Sequence, residues 1–142
     1  MLNDFFKGFR KYTKEEVDLL NPLLLAYIGD AIFELFIRVE LFNRGNKNVK
    51  ELNRKVKDYV MACAQSTIIK GLFPLLTEEE ESILRRGRNA KSTNIPKSSK
   101  VIEYKYATGF EALLGYLFLL GRMDRLMELL KLSLDSIRGE EN

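Results

Sequence analysis

Two runs dominate the pattern of hydrophobic and polar positions. Residues 22–42 read PLLLAYIGDAIFELFIRVELF and would be apolar on nearly every face of a helix. A helix apolar all round is buried, in a core or between subunits. Residues 106–120 read YATGFEALLGYLFLL and carry one charge, Glu111. The rest of the chain is amphipathic at helical spacing, with little β-branched alternation, which predicts an all-α fold. Thr13 and Glu16 form a capping box that starts a short helix running to Leu20. Asn21 caps the main helix and Pro22 takes its first position, where a missing N–H costs nothing. Gly45 ends it, and Asn48 with Glu51 opens a third helix that is basic on one side through Lys50, Arg54, Lys55 and Lys57. That pattern continues to about Leu72, with a break expected near residues 62–66, and Pro74 stops it. Thr77 and Glu80 cap a fourth helix over residues 78–86, acidic in its first turn and basic in its last, with Gly87 as its end. Residues 87–100, GRNAKSTNIPKSSK, read as a loop. Gly121 breaks the chain before a last amphipathic helix over residues 123–137.

Composition narrows the chemistry. A chain of 142 residues suits one domain. With 46% apolar and 30% charged residues it has the balance of a soluble globular protein. Cys63 is the single cysteine; in the apolar run YVMACA it reads as a small core residue, and nothing points to an oxidising compartment. The first residues, MLNDFFKGFRKYTKEE, lack the apolar core of a signal peptide. Asp30, Glu34, Arg38 and Glu40 interrupt residues 22–42 and argue against a membrane span, so a cytoplasmic protein is expected. There is no histidine, which excludes imidazole acid–base catalysis, His-liganded zinc and His-based triads. Any hydrolysis must use carboxylates, lysine, tyrosine or a metal.

Asp30 and Glu111 are therefore the candidate chemistry. Each is an isolated carboxylate on a near-continuous apolar helix, and two buried helices of a small bundle must pack together. Oxygen ligands from facing helices are what a hard cation such as Mg2+ needs. Gly29 beside Asp30, and Gly115 one turn past Glu111, would allow close approach. On spacing alone the structural reading is the commoner one for a lone acid, as a cap or an arginine's partner. Glu34 and Arg38 read as such an i,i+4 pair. A second feature is charge. Between Ser82 and Lys105 the cations Arg85, Arg86, Arg88, Lys91, Lys97, Lys100 and Lys105 face one acid, Glu103. Asn89, Ser92, Thr93, Asn94, Ser98 and Ser99 lie among them and suit phosphate and 2′-hydroxyl contacts, which favours nucleic acid over a merely solvated face.

These residues carry a resemblance. Tyr27-Ile28-Gly29-Asp30-Ala31 resembles the signature helix of ribonuclease III domains, E-x-x-E-F-L-G-D-A in the large bacterial enzymes. Phe110-Glu111-Ala112-Leu113-Leu114-Gly115 resembles their second catalytic helix, D-x-x-E-A-L-I-G. The four family acids fall at Ala26, Asp30, Thr108 and Glu111, so two are absent, and the first signature glutamate falls at Leu23. With Arg86-Gly87-Arg88-Asn89-Ala90-Lys91 and no double-stranded RNA-binding domain expected within 142 residues, the chain is similar to the Mini-ribonuclease III subfamily. The resemblance implies an all-α endonuclease domain over residues 1–142, cutting double-stranded RNA with Mg2+ to leave 5′-phosphate ends. It implies Asp30 and Glu111 as catalytic and metal-binding acids. It gives Arg85, Arg86, Arg88, Asn89, Lys91, Lys97 and Lys100 an RNA to bind, and suggests a 23S ribosomal RNA precursor stem as substrate. Cutting both strands needs two sites, hence a homodimer. A large-subunit ribosomal protein is left open as a further partner. Two rival readings stay open: a catalytically inactive ribonuclease III-like domain that binds RNA structurally, motivated by Ala26 and Thr108, and a helical protein–protein adaptor.

Overall fold

The computed structural model describes the backbone of residues 2–45, 48–91 and 100–141, with side chains between residues 4 and 136. Among these residues the helices are α1 (Leu2–Lys7), α2 (Lys14–Asp18), α3 (Pro22–Asn43), α4 (Val49–Val60), α5 (Ala62–Leu72), α6 (Glu78–Asn89), α7 (Val101–Leu119) and α8 (Met123–Glu141). A 3-10 turn, Phe73–Leu75, leaves α5, and the described residues form no strand. The all-α expectation holds.

The expected caps form. Thr13 Oγ1 accepts the Glu16 N–H at 3.1 Å while Glu16 Oε1 accepts the Thr13 N–H at 3.1 Å. Thr77 and Glu80 repeat the exchange at 3.2 and 2.9 Å. Asn21 Oδ1 accepts the Leu23 N–H at 2.9 Å, and Asn48 Oδ1 the Glu51 N–H at 3.1 Å. Each oxygen takes a donor that a helix start leaves unpaired, and losing such a cap typically costs about 0.5–2 kcal/mol.

Helix α7 is the axis of the core. Ala107–Phe110 and Ala112–Leu117 are buried, enclosed by α3, α5, α6 and α8. The fully buried rings of Phe33 and Phe110 meet edge to face at 5.3 Å. Truncating either to alanine would cost about 3–5 kcal/mol. Where α3 crosses α7 the backbones touch. A Cβ built on Gly29 would lie 1.7 Å from the Glu111 carbonyl oxygen, and one on Gly115 1.9 Å from that of Leu25. Helix α8 is clamped to α6 by Arg125, which pairs at 2.8 Å with the buried carboxylate of Glu80 and also donates to the Leu75 carbonyl at 2.9 Å.

Several expectations fail in detail. Gly87 does not end the fourth helix: α6 runs to Asn89 with Gly87 buried inside it. A Cβ there would come 2.8 Å from Ala112 Cβ and 2.9 Å from Gly109 Cα, so this glycine lets α6 and α7 approach rather than stopping a helix. The loop accordingly starts later, and its residues 92–99 lie outside the described residues. The helix of the second apolar run begins earlier, at Val101, and the break expected near residues 62–66 falls at Met61, whose ψ of 152° is extended. Cys63 is exposed, not a core residue. Helix α3 is not buried on all sides of one subunit. Leu25, Phe33, Ile37 and Leu41 enter the core, whereas Leu24, Tyr27, Leu35, Val39 and Phe42 are 48–76% exposed. Together with exposed Ala31 they form one stripe at steps of three and four residues. Asp30 borders that stripe and faces solvent.

Candidate active site and nucleic-acid interface

The glycine crossing sets the site. Asp30 follows Gly29 on α3, and Glu111 presents its own carbonyl to Gly29, so close approach of these backbones brings the two acids together. Burial, and then the adjoining Asp30 carboxyl, push the Glu111 carboxyl up to about 9, while the Gln65 amide pulls the other way. Glu111 thus holds its proton at neutral pH until a positive charge arrives. Two hard oxygen donors that resist being charged together are the donor set a divalent cation fits, because the cation removes both the repulsion and the desolvation cost. Among the described residues no group of three or more His, Cys, Asp or Glu side chains is placed to hold a metal. Ala26 and Thr108, where the resemblance puts two further acids, carry no carboxylate. Ala26 is buried, and buried Thr108 donates its hydroxyl to the Tyr104 carbonyl at 3.0 Å.

One neighbour was missed in the sequence. Gln65, on α5, is buried, and its Nε2 donates to the Val60 carbonyl at 2.9 Å. The available signal was the polar triplet Gln65-Ser66-Thr67 inside an otherwise apolar stretch.

The basic residues separate into different situations. Arg86 is half-buried, and its Nη2 donates to the carbonyls of Asp18 at 3.2 Å and Leu20 at 3.4 Å, tying α6 to the α2–α3 turn. Arg85 is exposed, pairs with Glu81 at 3.7 Å and stacks over Phe73 at 5.8 Å. Arg88 lies over the Tyr106 ring at 5.6 Å and donates to Asn89 Oδ1 at 3.2 Å. Asn89, Lys91 and Lys100 are exposed, and Lys97 lies outside the described residues. Arg88 and Lys91 join Tyr104, Lys105 and Thr108 around a cleft of about 260 Å³. Thr108, which lines this cleft, precedes Glu111 by one turn of α7. Glu34 and Arg38 form the expected i,i+4 pair at 3.4 Å. No helix among the described residues is long and apolar enough to cross a membrane.

Residues 23–122 match the family described as the Ribonuclease III domain. The chain belongs to this family, and is an endoribonuclease of the ribonuclease III type. Within the family its similarity is to the Mini-ribonucleases 3. It is 47% identical to Mini-ribonuclease 3 of Thermoanaerobacter sp. over 94% of both chains. It is 50% identical to that of Symbiobacterium thermophilum over 85% of this chain and 94% of the relative. A crystal structure of a protein from Fusobacterium nucleatum superposes with a TM-score of 0.73 at 37% identity, covering 86% of this chain and 95% of that one.

Proposed function

We propose that this protein is a Mg2+-dependent endoribonuclease that cleaves double-stranded RNA at Asp30 and Glu111, as one catalytic domain acting in a cytoplasmic homodimer. The observation that carries the reading is the crossing of α3 and α7, which leaves a solvent-facing carboxylate and a half-buried, proton-retaining one side by side. Asp30 and Glu111 would hold the cation. Mg2+, when bound there, supplies positive charge that polarises a phosphodiester and lowers the pKa of a neighbouring water. Asp30 is open to solvent and to substrate, while Glu111, seated behind it against α5, keeps the pair in register with the core. Arg88, Lys91 and Lys105 line the adjoining cleft and would hold the phosphates of a strand on its way to the pair. The products would carry 5′-phosphate and 3′-hydroxyl ends.

The resemblance to the Mini-ribonucleases 3 motivates the stem of 23S ribosomal RNA precursor as substrate, with a large-subunit ribosomal protein as a candidate aid to RNA shape. The exposed stripe of α3, bordered by Asp30, supports pairing of two subunits with both sites near the contact, as cutting two strands requires. The test is incubation of purified protein with duplex and single-stranded RNA of the same sequence, with and without Mg2+. Duplex alone should be cut, and only with the metal. Asp30→Asn should lower the rate by orders of magnitude while helix content and RNA binding stay intact. Normal turnover in that variant would sink the assignment, and metal-independent or single-strand cutting would overturn the mechanism. Intact duplex under every condition would favour the inactive RNA-binding alternative.

A further inference from the structure

The segment Phe5-Phe6-Lys7-Gly8-Phe9-Arg10-Lys11-Tyr12 interleaves aromatic rings with cations, and the carboxylate site makes no use of it. In the fold it packs against the C-terminal end of α7. The Tyr12 N–H donates to the Leu119 carbonyl at 3.0 Å, and the rings of Phe6 and Phe9 meet Phe118 edge to face at 6.1 and 5.4 Å. Phe5 meets Phe9 in the same way at 5.3 Å. The cluster is not closed over: Phe5 is 64% and Phe9 49% exposed. Phe6, Phe9 and Phe118 line a cleft of about 730 Å³, the size of a small-ligand site. Asp124 is the one acid among the described residues that line it, against Lys7, Arg10, Lys11, Arg122 and Arg125. Arg122 and Arg125 are held by Glu79 and Glu80 at 3.0 and 2.8 Å. The pairs Lys7–Asp4 and Arg10–Glu16 lie on the surface, where such pairs hold weakly and give way to other anions. Lys11 pairs with no acid among the described residues, and its stem lies so close over Gly121 that a Cβ there would strike it, which keeps the ammonium at the cleft.

Aromatic rings with open faces beside available cations hold unpaired nucleic-acid strands, because bases stack on the rings while phosphates meet the cations. We propose that this cleft binds an unpaired RNA strand continuing from the duplex that is cut, with bases stacked on Phe5 and Phe9 and a phosphate at Lys11. Its ligand rests on the reading that Asp30 and Glu111 cut duplex RNA, since a stem within a longer RNA continues into unpaired strand at its ends. Phe118 follows Glu111 by seven residues, close to two turns. Both therefore lie on one side of α7, about 10 Å apart along its axis, near enough for one RNA to occupy both places. A membrane surface fits the segment less well. Helix α1 has six residues, and Phe6 and Phe9 are committed to Phe118 rather than free to enter lipid.

The test is fluorescence anisotropy with the full-length protein and no divalent metal, so that nothing is cut. A blunt RNA duplex is compared with the same duplex carrying a short unpaired flank, for wild type, Phe5→Ala, Phe9→Ala, Phe9→Tyr and Lys11→Gln, with folding checked by circular dichroism. Wild type should bind the flanked duplex about 10-fold more tightly than the blunt one, the worth of one stacked base. Phe5→Ala and Phe9→Ala should lose most of that advantage and keep the blunt-duplex affinity, whereas Phe9→Tyr, which keeps a ring, should retain it. Lys11→Gln should reduce the advantage and lower the salt dependence of flanked-duplex binding by about one phosphate contact. Equal affinity of wild type for the two duplexes overturns the proposal, as does an undiminished advantage in folded Phe5→Ala. Phe5 is the more exposed ring, so its variant decides if Phe9→Ala does not fold. Dissociation of a homodimer by Phe5→Ala in sedimentation would give the patch to a second copy. Loss of binding to anionic phospholipid vesicles in that variant, with RNA affinity intact, would give it to a membrane; either result overturns the proposal. The two readings fail separately. A flank advantage without any cleavage of duplex in Mg2+ would remove the duplex-cutting reading and leave the cleft assigned, whereas duplex cleaved with no flank advantage removes this inference alone.

Discussion

At the scale of single residues the informative group is Glu111. Its carboxyl is raised from 4.5 to about 9 by burial first and the adjoining Asp30 second, opposed by Gln65. The folded chain therefore binds one more proton than the unfolded chain between those values. Stability contributed by this group is complete below the unfolded value and falls as pH rises through the window. Chemical unfolding without divalent metal should accordingly show lower stability at about pH 8.5 than at about pH 5. Mg2+ should reduce the difference, and Glu111→Gln, which keeps the shape without the charge, should remove most of it. An identical pH slope in Glu111→Gln and wild type would assign the effect to other groups. Arg86 teaches a different lesson at this scale. It stands in a basic run and reads there as a phosphate ligand, and one of its nitrogens, Nη2, also binds the backbone oxygens of Asp18 and Leu20.

At the scale of elements, glycine pairs decide how the helices meet. Gly29 and Gly115 bring α3 onto α7, and Gly87 and Gly109 bring α6 onto α7. The atoms that a Cβ at Gly29 would strike are the backbone C and O of Glu111, which cannot swing aside. Gly29→Ala should therefore cost at least the upper end of the usual overpacking penalty of about 1–3 kcal/mol. It should also part Asp30 from Glu111, abolishing cleavage even in the fraction that folds. Gly71→Ala is the matched control, since among the described residues its Cβ would meet the Ser136 side chain and no backbone. Thermal melts of the two variants should differ clearly, with Gly29→Ala far the lower. Equal melting temperatures would mean that α3 and α7 can separate at little cost.

At the scale of the whole molecule, the apolar surface that α3 leaves open is too large to be incidental. Leu24, Tyr27, Leu35, Val39 and Phe42 lie on one side of a single helix, and contiguous exposed apolar patches on soluble proteins mark contact surfaces. Leu35, 64% exposed, takes no part in the core, so Leu35→Glu should leave the subunit folded and break an α3-mediated homodimer. Sedimentation at micromolar concentration should report dimer for wild type and monomer for the variant, with unchanged helix content. A wild-type monomer that still cuts both strands would contradict the assembly.

What the chain determined locally was legible along it. Caps depend on a few adjacent residues, so Thr13, Asn21, Asn48 and Thr77 mark helix starts in the sequence and in the structure alike. Helical periodicity likewise defined the two apolar runs, and with them Asp30 and Glu111 as the acids worth following. Three matters were decided only by tertiary structure. The role of a glycine depends on what packs against it, which is why Gly87 reads as a terminator and serves as a contact. Whether a cation is free depends on which acceptors the fold carries to it, as for Arg86. The third is which side of α3 stays exposed in the subunit and that buried Gln65 arrives from α5 in the core. Pattern along a chain specifies which face of a helix is apolar, but only the docking of the other helices decides how much of that face is covered and which distant side chain arrives beside a carboxylate.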